Sequence, residues 1–163
     1  KLADTRKTTP GLRIFEKYAF KCGGGVNHRM GLYDAAMIKE NHIAWTDNLN
    51  NAVKKIRLNS PFTTHIIIEA ENIEQAKEAV LAGADSVLLD ELSPEIIKKN
   101  VQELRDLSMN SLKKEVNKNL IIEVSGINPE EISKYLIKGI DLISTSSSIT
   151  KSNWIDLSMR YIN

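Results

Sequence analysis

One cysteine, Cys22, leaves no disulfide to be formed within the chain, and such sparing use fits a reducing compartment, the cytoplasm. No apolar run approaches the ~20 residues that a membrane-spanning helix needs, and no signal peptide is expected at the start. Neither sign of charge dominates: 22 Lys and Arg against 21 Asp and Glu leave a net +1. That balance argues against wholesale binding to nucleic acid or membrane. Aromatic residues make up only 6% and none lies in the most basic stretches, so the stacking platform of a single-strand binder is missing. At 163 residues, one domain with a well-buried core is expected, and two ordinary ones are not. The first residue is Lys1 rather than Met, with a functional-looking motif close behind it. The sequence is therefore expected to be the C-terminal part of a longer protein.

What the sequence does have is concentrated near its start. Asp4-Thr5-Arg6-Lys7-Thr8-Thr9-Pro10-Gly11 is followed by Cys22-Gly23-Gly24-Gly25-Val26-Asn27-His28-Arg29-Met30-Gly31. Guanidinium groups grip carboxylate or phosphate bidentately, and glycines let backbone N–H groups approach an anion closely. These stretches point to ligands carrying several negative charges in fixed geometry.

Along the chain, short apolar runs alternate with longer amphipathic stretches, the pattern of βα units on a mostly parallel sheet. Strands are expected at Leu2–Thr5, Ala35–Ile38, His65–Ile68, Ser86–Leu89, Leu120–Val124 and Asp141–Ile143. The first helix is expected over Leu12–Lys21, with Leu12, Phe15, Tyr18 and Ala19 on one face. Thr46 or Asp47 is expected to cap a helix carrying Leu49, Val53 and Ile56, and Asn72 one that closes at Gly83. Ser93-Pro94-Glu95 starts another, which runs past Leu104 into a lysine-rich surface excursion from Met109 to Asn119. Asn128-Pro129 restarts a helix as far as Gly139. Trp154–Ile162 fits neither strand nor helix clearly.

Each strand interior is apolar and each C-terminal end polar: Arg6 and Lys7, Lys39, Glu69, Asp90, Ser125, then the Ser144–Thr150 cluster. Active sites of α/β barrels are built from the C-terminal ends of the strands. The expected fold is α/β, an open or incomplete TIM-like barrel of about six to seven mostly parallel strands, since six visible strands fall short of eight and no internal repeat supplies more. Arg6, Lys7, Arg29 and Lys39 form the cationic half of the candidate site. His28 either bonds a ligand or braces Arg29. Glu69 and Asp90, at neighbouring strand ends, suit ribose hydroxyls or a magnesium ion bridged to phosphates; as an alternative, they are ion-pair partners that orient Lys39 and the arginines. Glu71 and Glu123 are ranked as structural, Glu123 being assigned to the face away from Ser125. Ser125-Gly126 and the serine loop resemble phosphate grips. Three classes of function remain from the residues alone: a transferase acting on a phosphorylated sugar and an acidic co-substrate, a Schiff-base aldolase using Lys39, and a non-catalytic anion-binding module.

The runs Asp4 to Arg13, Gly23 to Leu32 and Ile38 to His42 closely resemble the quinolinate phosphoribosyltransferase family, the carboxylating nicotinate-nucleotide pyrophosphorylases of NAD biosynthesis. Ile68 to Asn72, Ala82 to Asp85, Leu88 to Asp90, Glu123 to Gly126 and Gly139 to Ser144 follow in the family's order. The resemblance covers nearly the whole chain, 1–163, as the catalytic barrel domain without the family's N-terminal sandwich domain. It implies conversion of quinolinate and phosphoribosyl pyrophosphate (PRPP) to nicotinate mononucleotide, pyrophosphate and carbon dioxide, with magnesium. It implies Lys39, Glu69 and Asp90 as catalytic residues and Glu69 and Asp90 as the metal side. The substrate-binding set it implies is Thr5, Arg6, Lys7, His28, Arg29, Lys39, Glu69, Asp90, Ser125, Gly126, Ile127 and Ser146. Of these, Arg6, His28, Arg29 and Lys39 would hold the pyridine dicarboxylate, Lys7 and Lys39 the pyrophosphate, and Ser125, Gly126 and the Ser146 loop the 5′-phosphate. It also implies a homodimer or higher even oligomer, and a site completed by an arginine from the absent domain. Four positions depart from the family's habit: Ile67 stands for a glutamate, Glu91 for an asparagine, Ile127 for the second of two glycines, and Lys151 for a histidine. A related phosphoribosyltransferase using another pyridine or acidic base, and a truncated anion-binding domain without turnover, remain as alternatives.

Overall fold

The computed structural model describes residues 1–45, 48–111 and 119–162. Six parallel strands, β1 (Leu2–Ala3), β2 (Ala35–Ile38), β3 (His65–Ala70), β4 (Ser86–Asp90), β5 (Ile121–Ser125) and β6 (Leu142–Ser144), form one sheet in the order β1-β6-β5-β4-β3-β2. This is a barrel opened between its first two strands. Val26 makes an isolated parallel bridge to Ala3 on the open side, so among the described residues the barrel has six strands and a single bridged position of a seventh.

Alternation along these strands separates two environments. Ile66, Ile68, Val87, Leu89, Ile122 and Val124 are fully buried against the helices, each contributing about 1.5–3 kcal/mol by leaving water. Their neighbours turn inward: Met37, Ile67 and Leu88 pack together inside the barrel with Ala35, beneath Lys39, Glu69 and Asp90. Ile67, where the family favours a glutamate, is 4% exposed and apolar-packed.

The helices are α1 (Arg13–Cys22), α2 (Glu40–Ala44), α3 (Leu49–Asn59), α4 (Ile73–Leu81), α5 (Pro94–Ser111) and α6 (Ser147–Thr150). Thr46 and Asp47 lie outside the described residues; the side chain of Asn48 caps α3, its Oδ1 accepting the Asn50 N–H at 2.7 Å. Asn72 caps α4 in the same way, through the Gln75 N–H at 2.9 Å. The expected excursion after Leu104 is helical as far as Ser111, and its core at 112–118 lies outside the described residues. The helix expected after Asn128 is instead a 3₁₀ helix, Pro129–Tyr135, and residues 153–162 are exposed coil.

One expectation about α1 is reversed. Its apolar residues Ile14, Phe15 and Tyr18 are exposed, and the residue it buries is Lys17. Amphipathic spacing reports a sided helix, not which side meets this domain's core.

At the N-terminal ends of the strands, two carboxylates pin neighbouring elements. Asp85, just before β4, accepts the Ile66 N–H at 2.7 Å and pairs with Arg57 at 2.7 Å. Asp141, just before β6, accepts the Ile122 N–H at 2.8 Å and pairs with Arg105. The charged groups at this end are therefore committed to structure, which leaves the C-terminal ends for chemistry. Among the described residues no helix is long and apolar enough to cross a membrane.

Candidate active site

The C-terminal ends of the strands surround a cavity of about 520 Å³. All twelve sequence-predicted site residues, Thr5, Arg6, Lys7, His28, Arg29, Lys39, Glu69, Asp90, Ser125, Gly126, Ile127 and Ser146, stand on its wall. They come from six strand ends and loops far apart in sequence, which only the barrel brings together.

On the cationic side, Arg29 donates to the carbonyl of Ala35 at 2.9 Å and touches the Met37 sulfur at 3.5 Å. It therefore spans the open seam toward β2. Burial, with the positive charge of Arg6 nearby, lowers the Arg29 pKa. Two guanidinium groups held close against their own repulsion are what a dianion would relieve. Arg13, on the opening turn of α1, links the two basic stretches by donating to the carbonyls of Arg6 and Met30 at 3.3 and 3.4 Å.

His28 is engaged at both ring nitrogens. Its Nδ1 accepts the Arg29 N–H at 2.7 Å, which leaves the proton of the neutral ring on Nε2, 3.3 Å from Glu123 Oε2. In this arrangement His28 braces the Arg29 loop.

Glu123, expected on the face away from Ser125, stands on the same face. Residues two apart on a strand share a face, and Glu123 lines the cavity with Ser125. It is 1% exposed, and its Oε1 has no hydrogen-bond partner among the described residues. Counting by twos from Ser125 would have found it.

On the anionic side, Lys39 Nζ lies 2.6 Å from Glu69 Oε2. Burial raises the Glu69 pKa, Lys39 pulls it back, and the nearby charge of Asp90 pushes it up again. Asp90 accepts a hydrogen bond from the Ser125 hydroxyl. Glu71, ranked as structural, is exposed and off the cavity wall.

The phosphate-grip candidates meet at β4 and β5. Gly126 has φ +71°, and a Cβ there would fall 2.5 Å from Glu91 Cγ and 3.1 Å from Asp90 Oδ1. Only glycine lets the chain pass so close in this left-handed conformation. Glu91 itself has φ +53°, a conformation that asparagine adopts more readily. Across the cavity, the Thr145 hydroxyl accepts the Ser147 N–H at 3.1 Å where the serine loop turns into α6.

A model of the family described as "Quinolinate phosphoribosyl transferase, C-terminal domain" matches residues 1–160. This chain belongs to that family. The quinolinate phosphoribosyltransferase domain is similar to a probable carboxylating nicotinate-nucleotide pyrophosphorylase of Methanothermobacter thermautotrophicus, 42% identical over 98% of this chain and 55% of the relative. One from Synechocystis is 37% identical over 99% of this chain and 52% of the relative. Among solved structures, NadC from Streptococcus pyogenes superposes with a TM-score of 0.82 at 38% identity, covering 99% of this chain and 53% of that one. The chain spans about half the length of the curated relatives it matches. The open six-stranded α/β barrel is therefore the family's C-terminal-domain fold, and the candidate site residues lie at the C-terminal ends of its strands.

Proposed function

We propose that this chain carries the catalytic barrel of a quinolinate phosphoribosyltransferase, which joins quinolinate to the ribose of PRPP and releases pyrophosphate and carbon dioxide in NAD biosynthesis. The observation that carries the reading is one cavity whose wall combines Arg6, Lys7, Arg29 and Lys39 with the carboxylates of Glu69 and Asp90 on the adjacent strands β3 and β4, within a chain of this family. Arg6, Arg29 and Lys39 suit the two carboxylates of the pyridine, His28 bracing the loop between them. Lys7 and Lys39 suit the pyrophosphate, and Ser125, Gly126, the Ile127 backbone and the Ser146 loop suit the 5′-phosphate. Thr5 completes the wall beside Arg6.

The protein has little acid–base work to do in this scheme. As the ribose carbon loses pyrophosphate, negative charge grows on the leaving group, and fixed cations offset it without having to reorganise. The quaternised ring nitrogen then stabilises the electron pair left on carbon when carbon dioxide departs, and that carbon takes a proton from water, so the substrate carries the second step. Among the described residues no cluster of three or more His, Cys, Asp or Glu is arranged for a metal ion. Two carboxylates, Glu69 and Asp90, fit magnesium that arrives on phosphates, for which a protein supplies only one or two ligands. Bound there, magnesium would neutralise charge on the pyrophosphate.

A homodimer or a higher even oligomer belongs to this reading, and the exposed apolar side of α1 offers a surface for contact. The exposed thiol of Cys22 supports a reducing, cytoplasmic setting.

The test is release of labelled carbon dioxide from carboxyl-labelled quinolinate with PRPP and magnesium, for this chain and for the full-length protein. Release by the full-length protein is expected. No release from either, with both folded, refutes the reading, and equilibrium binding of nicotinate in preference to quinolinate would replace it with transfer to another pyridine.

A further inference from the structure

Among the described residues Lys17 is the one buried lysine, at 0% exposure, and it touches no ligand-facing wall of the cavity. Its Nζ lies 2.6 Å from Asp4 Oδ1, also fully buried, and donates to the His28 carbonyl at 3.0 Å. Asp4 in turn accepts the His28 N–H at 2.7 Å and the Asn27 side-chain N–H at 2.7 Å. The same Asn27 nitrogen donates to the Lys17 carbonyl at 2.8 Å. The peptide groups on both sides of His28 are thus clamped, the N–H by Asp4 and the carbonyl by Lys17.

The placement of this node gives it a use. Asp4 stands two residues before Arg6, and His28 one before Arg29, so the node ties together the two backbones that carry the guanidinium groups. Both groups line the same cavity wall, and like charges there repel. Like charges held at a fixed spacing for one ligand need a tie within the protein. A buried ion pair can often be replaced by apolar residues at no loss of stability, so stability alone does not account for a lysine and an aspartate here.

We propose that Asp4 and Lys17 are positioning residues of the anion site: their buried pair fixes the His28–Arg29 loop against the Arg6 turn at the separation that a dicarboxylate bridges. This rests on the phosphoribosyl-transfer reading. The node's own bonds, among Asp4, Lys17, Asn27 and the His28 peptide groups, include none to Glu69, Asp90, Ser125 or Ser146 on the PRPP side, so the quinolinate KM is expected to respond more than the PRPP KM.

The experiment is steady-state kinetics of the full-length protein with Lys17→Met and with Asn27→Ala, alongside thermal unfolding of each. For Lys17→Met the quinolinate KM is expected to rise about tenfold, the equivalent of one lost hydrogen bond to a charged group. Its PRPP KM is expected to stay within about twofold. Asn27→Ala loosens the same node from an exposed side chain and is expected to raise the quinolinate KM about threefold. If Lys17→Met does not fold, Asn27→Ala decides. A merely structural node would lower the melting temperature and the active fraction while leaving both KM values in place. Unchanged quinolinate KM, or a parallel rise in both, overturns the positioning role while normal turnover by the unchanged protein keeps the function. Failure of the unchanged protein to release carbon dioxide overturns the function and this inference together.

Discussion

Replacing Lys39 by methionine should make the protein's stability steeply dependent on pH, with Glu69 as the responsible group. Lys39 is the close cation for Glu69, 2.6 Å away, and the Glu69 side chain is only 10% exposed. Burial already raises the Glu69 pKa, Asp90 adds to that, and Lys39 opposes both. Breaking a fully buried pair by removing one partner costs roughly 3–5 kcal/mol. The Lys39 side chain is 41% exposed, so water can replace part of its effect, and about 2 kcal/mol is the appropriate scale. In a domain of this size that lowers the melting temperature by about 4–8 °C.

The sign follows from proton linkage. With its pKa raised in the folded state, Glu69 binds more protons folded than unfolded between the ordinary carboxylate value and its own, so stability falls as pH rises through that window. Removing Lys39 stretches the window upward. Thermal or urea unfolding should therefore show Lys39→Met well below the unchanged protein near pH 8 and much closer to it near pH 5. Lys39→Met combined with Glu69→Gln should recover most of the loss near pH 8. An equal loss at both pH values, or a double variant no more stable than the single, would refute the pairing as the source.

Two further outcomes follow from the β4–β5 corner. Gly126→Ala should destabilise by about 1–2 kcal/mol for its left-handed backbone alone, and its Cβ must displace Glu91; steady-state kinetics should show the PRPP KM rising more than the quinolinate KM. Glu91→Asn, which puts a residue tolerant of φ +53° in place of one that is not, should raise the melting temperature by about 2–4 °C, or roughly 1 kcal/mol, in a calorimetric scan.

Much of this molecule was legible because one device is repeated. An apolar run followed by a polar residue marks a strand and its C-terminal end together, as at Lys39, Glu69, Asp90 and Ser125. The open seam was visible only as a shortage of strands. Where the reading went wrong, the signal was ambiguous or miscounted. The apolar spacing of α1 is real, but nothing in it tells inward from outward, and Lys17 had no mark to distinguish it from a solvated lysine. Pro129-Glu130-Glu131 starts α and 3₁₀ helices equally well. Glu123 needed no structure at all, only a count by twos along β5.

The alternation of β3, β4 and β5 also separates what can change from what cannot. Cavity residues and core residues occupy opposite parities of the same strands, so a library randomised at positions 90 and 125, or at 39 and 69 together as the pair they form, explores new ligands without repacking the helix-facing core, while one at 66, 68, 87 and 122 trades only in stability. Arg29 is the exception. It presents a charge to the cavity and closes the seam to Ala35 with the same guanidinium, so there ligand preference and the closure of the seam are altered together.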